Sequence, residues 1–297
     1  MRKPQILKKG DTIAIASPAG AVADATIISG ATATLSSWGL NVITSPHCLG
    51  RDGYYSGSTT ERTEDFISLL NDDNVKAILC SYGGYGCLHI ANAVAESIAK
   101  NPKWIIGMSD CSVLHAAALS KGIMSLHSPQ CRHLTEHPAD ESAQHLRNIL
   151  FSGKAEYITP SHQLNIQGKA QGRIVGGNLS VLHALISTKY NIFEPGRILF
   201  IEDINEPAYR IERMFYTLKL SGVLKNLSAL IVGQFTFSKE NSDKEALYKT
   251  IHNLVKEYKT PVCFNFPIGH CTNNFPIIEG ATATLNVENE RTVIEFE

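Results

Sequence analysis

The sequence predicts an α/β protein of two domains. An N-terminal parallel sheet is flanked by helices, and a C-terminal mixed α/β domain ends in a β-hairpin. Three observations lead there. Up to about Pro129, short apolar runs alternate with segments of helical period, the pattern of a parallel sheet with crossover helices. From about Thr135 to Gly172 the character changes: Pro138, a helix expected around Glu141 to Phe151, then Gly153, Pro160 and Gly168 with polar residues between. Beyond that, strands and helices are mixed, and Ala281 to Phe296 alternates apolar and polar residues around Glu288-Asn289-Glu290, the signature of a hairpin. The expected domains are therefore 1–135 and 172–297, with 136–171 as the connecting segment.

In order, Asp11 to Pro18 reads as the first strand and ends at a Pro-Ala-Gly turn. Asp24 to Trp38 has helical spacing and stops at Gly39. Leu40 to Thr44 is a short strand, followed by a glycine-rich polar loop, Gly50 to Gly57. Ser58 and Glu61 have the spacing of a capping box and open a helix to about Leu70. Val75 to Cys80 is a strand that runs into Ser81-Tyr82-Gly83-Gly84-Tyr85-Gly86 and a helix to about Ala99. Trp104 to Gly107 repeats the strand, and a helix follows Ser109. Ile123 to Pro129 is one more short strand, completing a flavodoxin-like plan. In the second half, Gly172 to Leu182 reads as strand, glycine turn and helix start. Arg197 to Asp203 and Ala229 to Phe235 are strands, and Tyr209 to Leu220 and Lys244 to Tyr258 are helices. Pro261 to Pro267 is extended and delivers Gly269-His270.

Composition narrows the function classes. The 297 residues are 43% hydrophobic and 19% charged with net charge −1, an ordinary globular balance that argues against a nucleic-acid surface or a polybasic membrane patch. No run approaches the roughly 18 apolar residues of a membrane span, and the basic first ten residues lack the apolar core of a secretory signal. The seven cysteines are scattered without a Cys-x-x-Cys pair, so reduced core thiols in a cytoplasmic protein are expected, without a disulfide framework or zinc knuckle.

Gly107-Met108-Ser109-Asp110-Cys111 stands on a strand-to-helix turn, as a nucleophilic serine does in the Gly-x-Ser-x-Gly elbow, though the second glycine is missing. The plainer reading makes Ser109 or Asp110 a helix cap. The glycines at 83, 84 and 86 allow close backbone approach. The segment is neither a Walker loop nor a dinucleotide fingerprint, which leaves a bare turn or an oxyanion hole at the end of a neighbouring strand. A nucleophile needs a base, and the base an orienting carboxylate. Of eleven histidines, His115 and His183 lie in helical runs and read as packing residues. His133, His137, His145, His162 and His252 sit in polar stretches and read as solvated. His270 follows a strand in a glycine-flanked loop, and Glu202 sits in an apolar strand after Phe200 and Ile201, which makes these two the candidates.

Gly10 to Ala19, Gly83-Gly84-Tyr85-Gly86, Gly107-Met108-Ser109-Asp110, Gly176-Gly177-Asn178, Ile201-Glu202-Asp203 with Tyr209 to Arg213, and Gly269-His270 follow one another in the order found in a known family. Over nearly its whole length the chain resembles the LD-carboxypeptidase family of serine peptidases, peptidase family S66. The resemblance implies a triad of Ser109 as nucleophile, His270 as base and Glu202 as its partner. Ser109 would come from the N-terminal domain and the other two from the C-terminal one, so catalysis would need the domains correctly docked. The backbone N–H groups of Asp110 and of the Gly83-Gly84 turn, taken at Gly84, would form the oxyanion hole. No metal or cofactor is implied, and a homodimer is. The family's usual arginine before Gly-Gly-Tyr-Gly is Tyr82 here, its serine after that motif is Cys87, and its His-Gly-Pro loop is His127-Ser128-Pro129. These departures bear on substrate preference. Tyr82, Asn178 and Arg210 are the candidates for substrate binding.

The activity implied is hydrolysis of the bond between an L-centre, diaminopimelate or lysine, and the terminal D-alanine of murein tetrapeptides in cell-wall recycling. One alternative is an immunity-type hydrolase of peptidyl or aminoacyl nucleotides of the microcin C kind, for which Tyr54, Tyr55 or Tyr190 would meet the nucleobase. Another is a non-catalytic protein that holds a small ligand.

Overall fold

The structure, a computed structural model, describes residues 1–237 and 243–297. The chain forms two compact units, Met1–Lys154 with Phe275–Gly280, and Ala155–Asn274 with Ala281–Glu297. The first unit begins β1 (Thr12–Ala16), α1 (Thr26–Ser37), β2 (Asn41–Thr44), α2 (Thr59–Asn71), β3 (Val75–Cys80) and α3 (Cys87–Lys100). It continues β4 (Trp104–Gly107), α4 (Ser112–Ser120), β5 (Ser125–His127), α5 (Cys131–Glu136) and α6 (Glu141–Ser152). The second unit holds β6 (Glu156–Pro160), β7 (Gly168–Asn178), α7 (Leu179–Ala184), β8 (Arg197–Ile204), α8 (Ala208–Leu220), α9 (Val223–Asn226), β9 (Ala229–Thr236), α10 (Lys244–Val255) and β10 (Val262–Cys263). The chain then gives β11 (Ile277–Glu279) to the first unit and returns to the second as β12 (Thr282–Val287) and β13 (Arg291–Phe296).

The first sheet has the order β11-β5-β4-β3-β1-β2 and is parallel except for β11. Its central strands are unbroken apolar runs because both faces are covered: Ile13 to Ile15, Ala77 to Cys80 and Trp104 to Ile106 have essentially no exposed surface. Strand order reverses at β1, so the loops after β1 and β3 leave the sheet at a switch point, where α/β sheets open a crevice at their carboxyl edge. The capping box at α2 forms as its spacing predicts. The Ser58 hydroxyl accepts the Glu61 N–H (3.2 Å), and the Glu61 carboxylate accepts the Ser58 N–H (2.8 Å).

The second sheet has the order β10-β9-β8-β7-β12-β13-β6. β7 to β10 run parallel, and β12, β13 and β6 are antiparallel. The terminal hairpin expected at 281–296 is β12–β13, with Leu285 opposite Ile294.

Three expectations are corrected. Residues 136–171 are not a connecting segment but are divided between the units. Helix α6 buries Leu146, Ile149 and Leu150 in the first, and β6 pairs Ile158 with Val293 in the second. The glycine turn expected at 176–177 is strand: Gly176 and Gly177 continue β7 in register with Phe200 and Ile201. The run from Pro261 to Pro267 contributes only the two residues of β10 to the sheet.

Candidate active site

In the first unit the chain leaves β4 at Gly107, extends through Met108 (φ −146°, ψ −174°) and enters a 3₁₀ turn, Ser109–Cys111, that continues as α4. Ser109 has φ +61°. A left-handed serine costs on the order of 1–3 kcal/mol and persists only where its surroundings fix it. The turn lifts Ser109 to partial exposure between buried neighbours, Met108 and Asp110. Against it lies the turn after β3. A Cβ on Gly83 would stand 2.7 Å from Ser109 Cβ, 3.0 Å from its Oγ and 3.4 Å from the Asp110 nitrogen, so only glycine permits this approach. Hydrogen bonds at both ends hold the Gly83–Gly86 turn. The Gly20 N–H donates to Gly83 O (2.9 Å), and the Cys87 N–H, at the start of α3, donates to Asp110 Oδ2 (2.7 Å). Burial pushes the Asp110 carboxyl up to about 6 in spite of that bond. Arg62, fully buried, bridges the neighbouring loops by donating from one amino group to Pro18 O (2.8 Å) and Gly86 O (3.0 Å).

In the second unit Glu202 lies in the buried run of β8, followed by the likewise buried Asp203, and has no exposed surface. Its Oε2 lies 2.7 Å from His270 Nδ1, while Oε1 has no hydrogen-bond partner among the described residues. Burial alone would push the His270 imidazole down. The Glu202 carboxylate, through its charge and hydrogen bond, outweighs this, and the net shift is upward from the usual histidine range. The loop is held to bring the ring here. The Thr236 hydroxyl donates to His270 O (2.7 Å) and the Gly269 N–H to Asn274 Oδ1 (3.0 Å). Gly269 has φ +121°, and a Cβ there would stand 2.7 Å from Glu202 Cβ. Next to Glu202, Asp203 accepts from Asn178 Nδ2 (3.0 Å), Ser180 N (2.9 Å) and Ile204 N (2.8 Å), and burial, then the charge of Glu202, pushes its carboxyl up to about 6.

The structure thus brings Ser109, Asp110 and the Gly83-Gly84 turn together in one unit, and Glu202 and His270 together in the other. The three substrate-binding candidates differ. Tyr82 is 48% exposed, with its ring against Gly20 and Gly84. Arg210 is exposed on the first turn of α8, 3.6 Å from Glu206. Asn178 is buried and capped into α7, its Oδ1 accepting the Val181 N–H and Ser180 hydroxyl, so its side chain is committed to the Asp203 cluster. Of the tyrosines suited to a nucleobase, Tyr54 is 90% exposed, whereas Tyr190 is only 4% exposed. Sequence reasoning missed Arg62 and Asp203. A carboxylate after Glu202 in the same apolar strand was the available signal for the second. The histidines read as solvated are in part engaged: His162 lies 3.4 Å from Glu245, and His252 Nδ1 is 2.9 Å from Leu164 O. Among the described residues, no three His, Cys, Asp or Glu side chains are placed to hold a metal ion.

Residues 13–128 match the LD-carboxypeptidase N-terminal domain, and residues 171–285 match the LD-carboxypeptidase C-terminal domain. The chain is similar to a probable murein peptide carboxypeptidase of Bacillus subtilis, 33% identical over 305 residues that span 99% of this chain and 94% of the relative. It is also similar to the microcin C7 self-immunity protein MccF of Escherichia coli, 26% identical over 80% of this chain and 79% of that one. Among solved structures, the muramoyltetrapeptide carboxypeptidase of Oxalobacter formigenes superposes with a TM-score of 0.86 at 26% identity, over 96% of this chain and 98% of its own. With both domains matched in order and a relative aligned almost end to end, the chain belongs to the LD-carboxypeptidase family of peptidases.

Proposed function

We propose that this peptidase is an LD-carboxypeptidase that removes the terminal D-alanine from murein tetrapeptides by way of Ser109, His270 and Glu202. The observation that carries the reading is the Glu202–His270 pair, a fully buried carboxylate 2.7 Å from an imidazole Nδ1. That bond orients the ring with Nδ1–H toward Glu202 and leaves Nε2 to accept a proton. His270 would take the Ser109 proton as Oγ attacks the carbonyl carbon of the L-centre. It would then return the proton to the leaving amino group of D-alanine, and water would release the acyl group in the reverse sequence. Glu202 would stabilise the imidazolium formed in each step. The N–H groups of Asp110 and Gly84 would receive the oxyanion, and one such donor is typically worth about 3–4 kcal/mol. The murein-peptide relatives named above support this substrate.

The reading includes a cytoplasmic homodimer, and sedimentation of the purified protein checks the second half of that statement. A second reading, hydrolysis of aminoacyl nucleotides, has one observation in its favour. Tyr82 and Tyr85, on the turn packed against Ser109, present rings 48% and 54% exposed that could stack on a base. Mass spectrometry of murein tetrapeptide incubated with the protein separates the readings. Loss of one alanine, absent with Ser109→Ala, supports the first. An intact tetrapeptide together with cleavage of an aminoacyl nucleotide supports the second.

A further inference from the structure

His115 lies on α4, completely buried, six residues after the proposed nucleophile. Its ring touches two polar partners. Nε2 is 2.9 Å from Gly107 O, and Nδ1 is 2.9 Å from Ser125 Oγ on β5. A carbonyl oxygen only accepts, so Nε2 carries the hydrogen. A neutral ring then has Nδ1 as an acceptor, and the Ser125 hydroxyl donates to it. The tautomer is fixed by the partners. Burial is the leading influence on the ring and favours its neutral form.

Gly107 O is the last carbonyl of β4, two residues before Ser109. It accepts a second hydrogen bond from the Ser128 N–H (3.0 Å), and the next carbonyl, Met108 O, accepts the Cys111 N–H (3.1 Å). The chain enters the left-handed residue from an end of strand held by α4 on one side and the segment after β5 on the other. A left-handed serine relaxes when its frame loosens, and a reacting atom misplaced by about 1 Å can cost about 100-fold in rate.

We propose that His115 is a positioning residue of the hydrolytic site: its neutral imidazole, oriented by Ser125, clamps the Gly107 carbonyl and so holds the Ser109 turn in its attacking conformation. The proposal rests on Ser109 being the nucleophile. It assigns a task to a histidine that touches neither substrate nor the reacting atoms. Other titratable groups border the ring. Cys111 adjoins it, the His127 ring centre is 6.3 Å away, and Glu279 on β11 stands opposite Ser125 in the β5–β11 ladder.

The test compares His115→Leu, His115→Gln and Ser125→Ala. Glutamine places an N–H donor where Nε2 stood, and leucine does not. The expected result with murein tetrapeptide is a kcat lowered about 10–100-fold in His115→Leu with KM within about twofold. His115→Gln should recover most of that loss, and Ser125→Ala should fall between them. A folded His115→Leu with wild-type kcat overturns the proposal, as does His115→Gln impaired as deeply as His115→Leu. Should the leucine variant not fold, the wild-type protein decides. Long-range ¹H–¹⁵N spectra, assigned with His115→Gln, must show the Nε2–H tautomer, and an Nδ1–H ring or an imidazolium overturns the clamp. The tautomer is read without substrate. Full activity in Ser109→Ala would therefore refute the assignment of the nucleophile while the spectrum still judged the clamp.

Discussion

In the proposed site the backbone would carry the chemistry at Ser109, and the side chains would carry it at His270. The first unit holds a serine at φ +61°, presses a glycine turn to within van der Waals contact of it and offers peptide N–H groups from the start of a helix. The carboxylate next to the serine, Asp110, is occupied with the Cys87 N–H. The second unit sets a carboxylate with no exposed surface against an imidazole and holds the loop by the Thr236 hydroxyl and the Asn274 amide. Polar backbone can be packed into a tight parallel-sheet edge at little electrostatic cost. A buried charge cannot, and it is kept only where a partner is within reach. The two regions should therefore fail differently when altered.

Among changes to the two units' carboxylates, the largest effect is expected in the second unit. Glu202→Gln should lower kcat by about 10³–10⁴-fold, as when the carboxylate of a catalytic triad is neutralised. It should also move the acid limb of the kcat/KM profile. In the proposed mechanism the base form of His270 is the active one, so activity should rise with pH through its pKa. That pKa lies above the usual histidine value in the wild type and should drop when the Glu202 charge is removed. A pH–rate profile reads both. The linked stability has the opposite trend. The pair stabilises the fold fully below the unfolded histidine pKa of about 6.5, and its contribution is lost as pH rises through the raised folded value.

Next comes the glycine that lets the loop approach. Gly269→Ala puts a methyl group 2.7 Å from Glu202 Cβ at φ +121°. It should cost about 1–3 kcal/mol in thermal unfolding and most of the activity. In the first unit, Ser109→Gly and Ser109→Ala should be equally inactive but differ in stability, because glycine accepts the left-handed conformation. The glycine variant should melt later by up to about 1 kcal/mol of stability. Equal melting would mean the turn carries no strain.

The smallest effect sharpens the contrast. Asp110→Asn keeps an oxygen to accept the Cys87 N–H and leaves the backbone donor at 110 in place, so activity should change only a few-fold. Ionising Asp110 costs the folded state, since its pKa is near 6 against about 3.9 unfolded. Wild-type stability from this group falls as pH rises from about 4 to 6, and the variant should lose that slope in denaturant titrations. A carboxylate would then be dispensable in one unit and indispensable in the other.

Much of this was legible in local sequence. The alternation of apolar runs and helical periods gave the first sheet, and Ser58 with Glu61 gave the start of α2, because periodicity and capping are written within a few residues. What escaped depends on distant partners. Strand β11 is three residues long and exists because β5, about 150 residues earlier, pairs with it. β6 alternates in burial but not in residue type, with Tyr157 and Thr159 buried and Ile158 exposed, and Gly153 before it and Pro160 at its end read as a linker. Gly176-Gly177 reads as a turn until Phe200 and Ile201 on β8 pair beside it. At the site, Ser109, Glu202 and His270 could be picked out by setting and motif, but the left-handed turn could not. His115, in an apolar helical run, had the look of a packing residue because its two hydrogen-bond partners lie 8 and 10 residues away in sequence.

The measurement that tests the central claim most directly is a double-mutant comparison of kcat for tetrapeptide hydrolysis in Ser109→Ala, His270→Ala and the double variant. Residues that act as one unit are lost together. The account predicts that each single change lowers kcat by about 10⁴–10⁶-fold and that the double variant is no slower than the singles. Losses that multiply in the double variant, or a His270→Ala enzyme near wild-type rate, would contradict it.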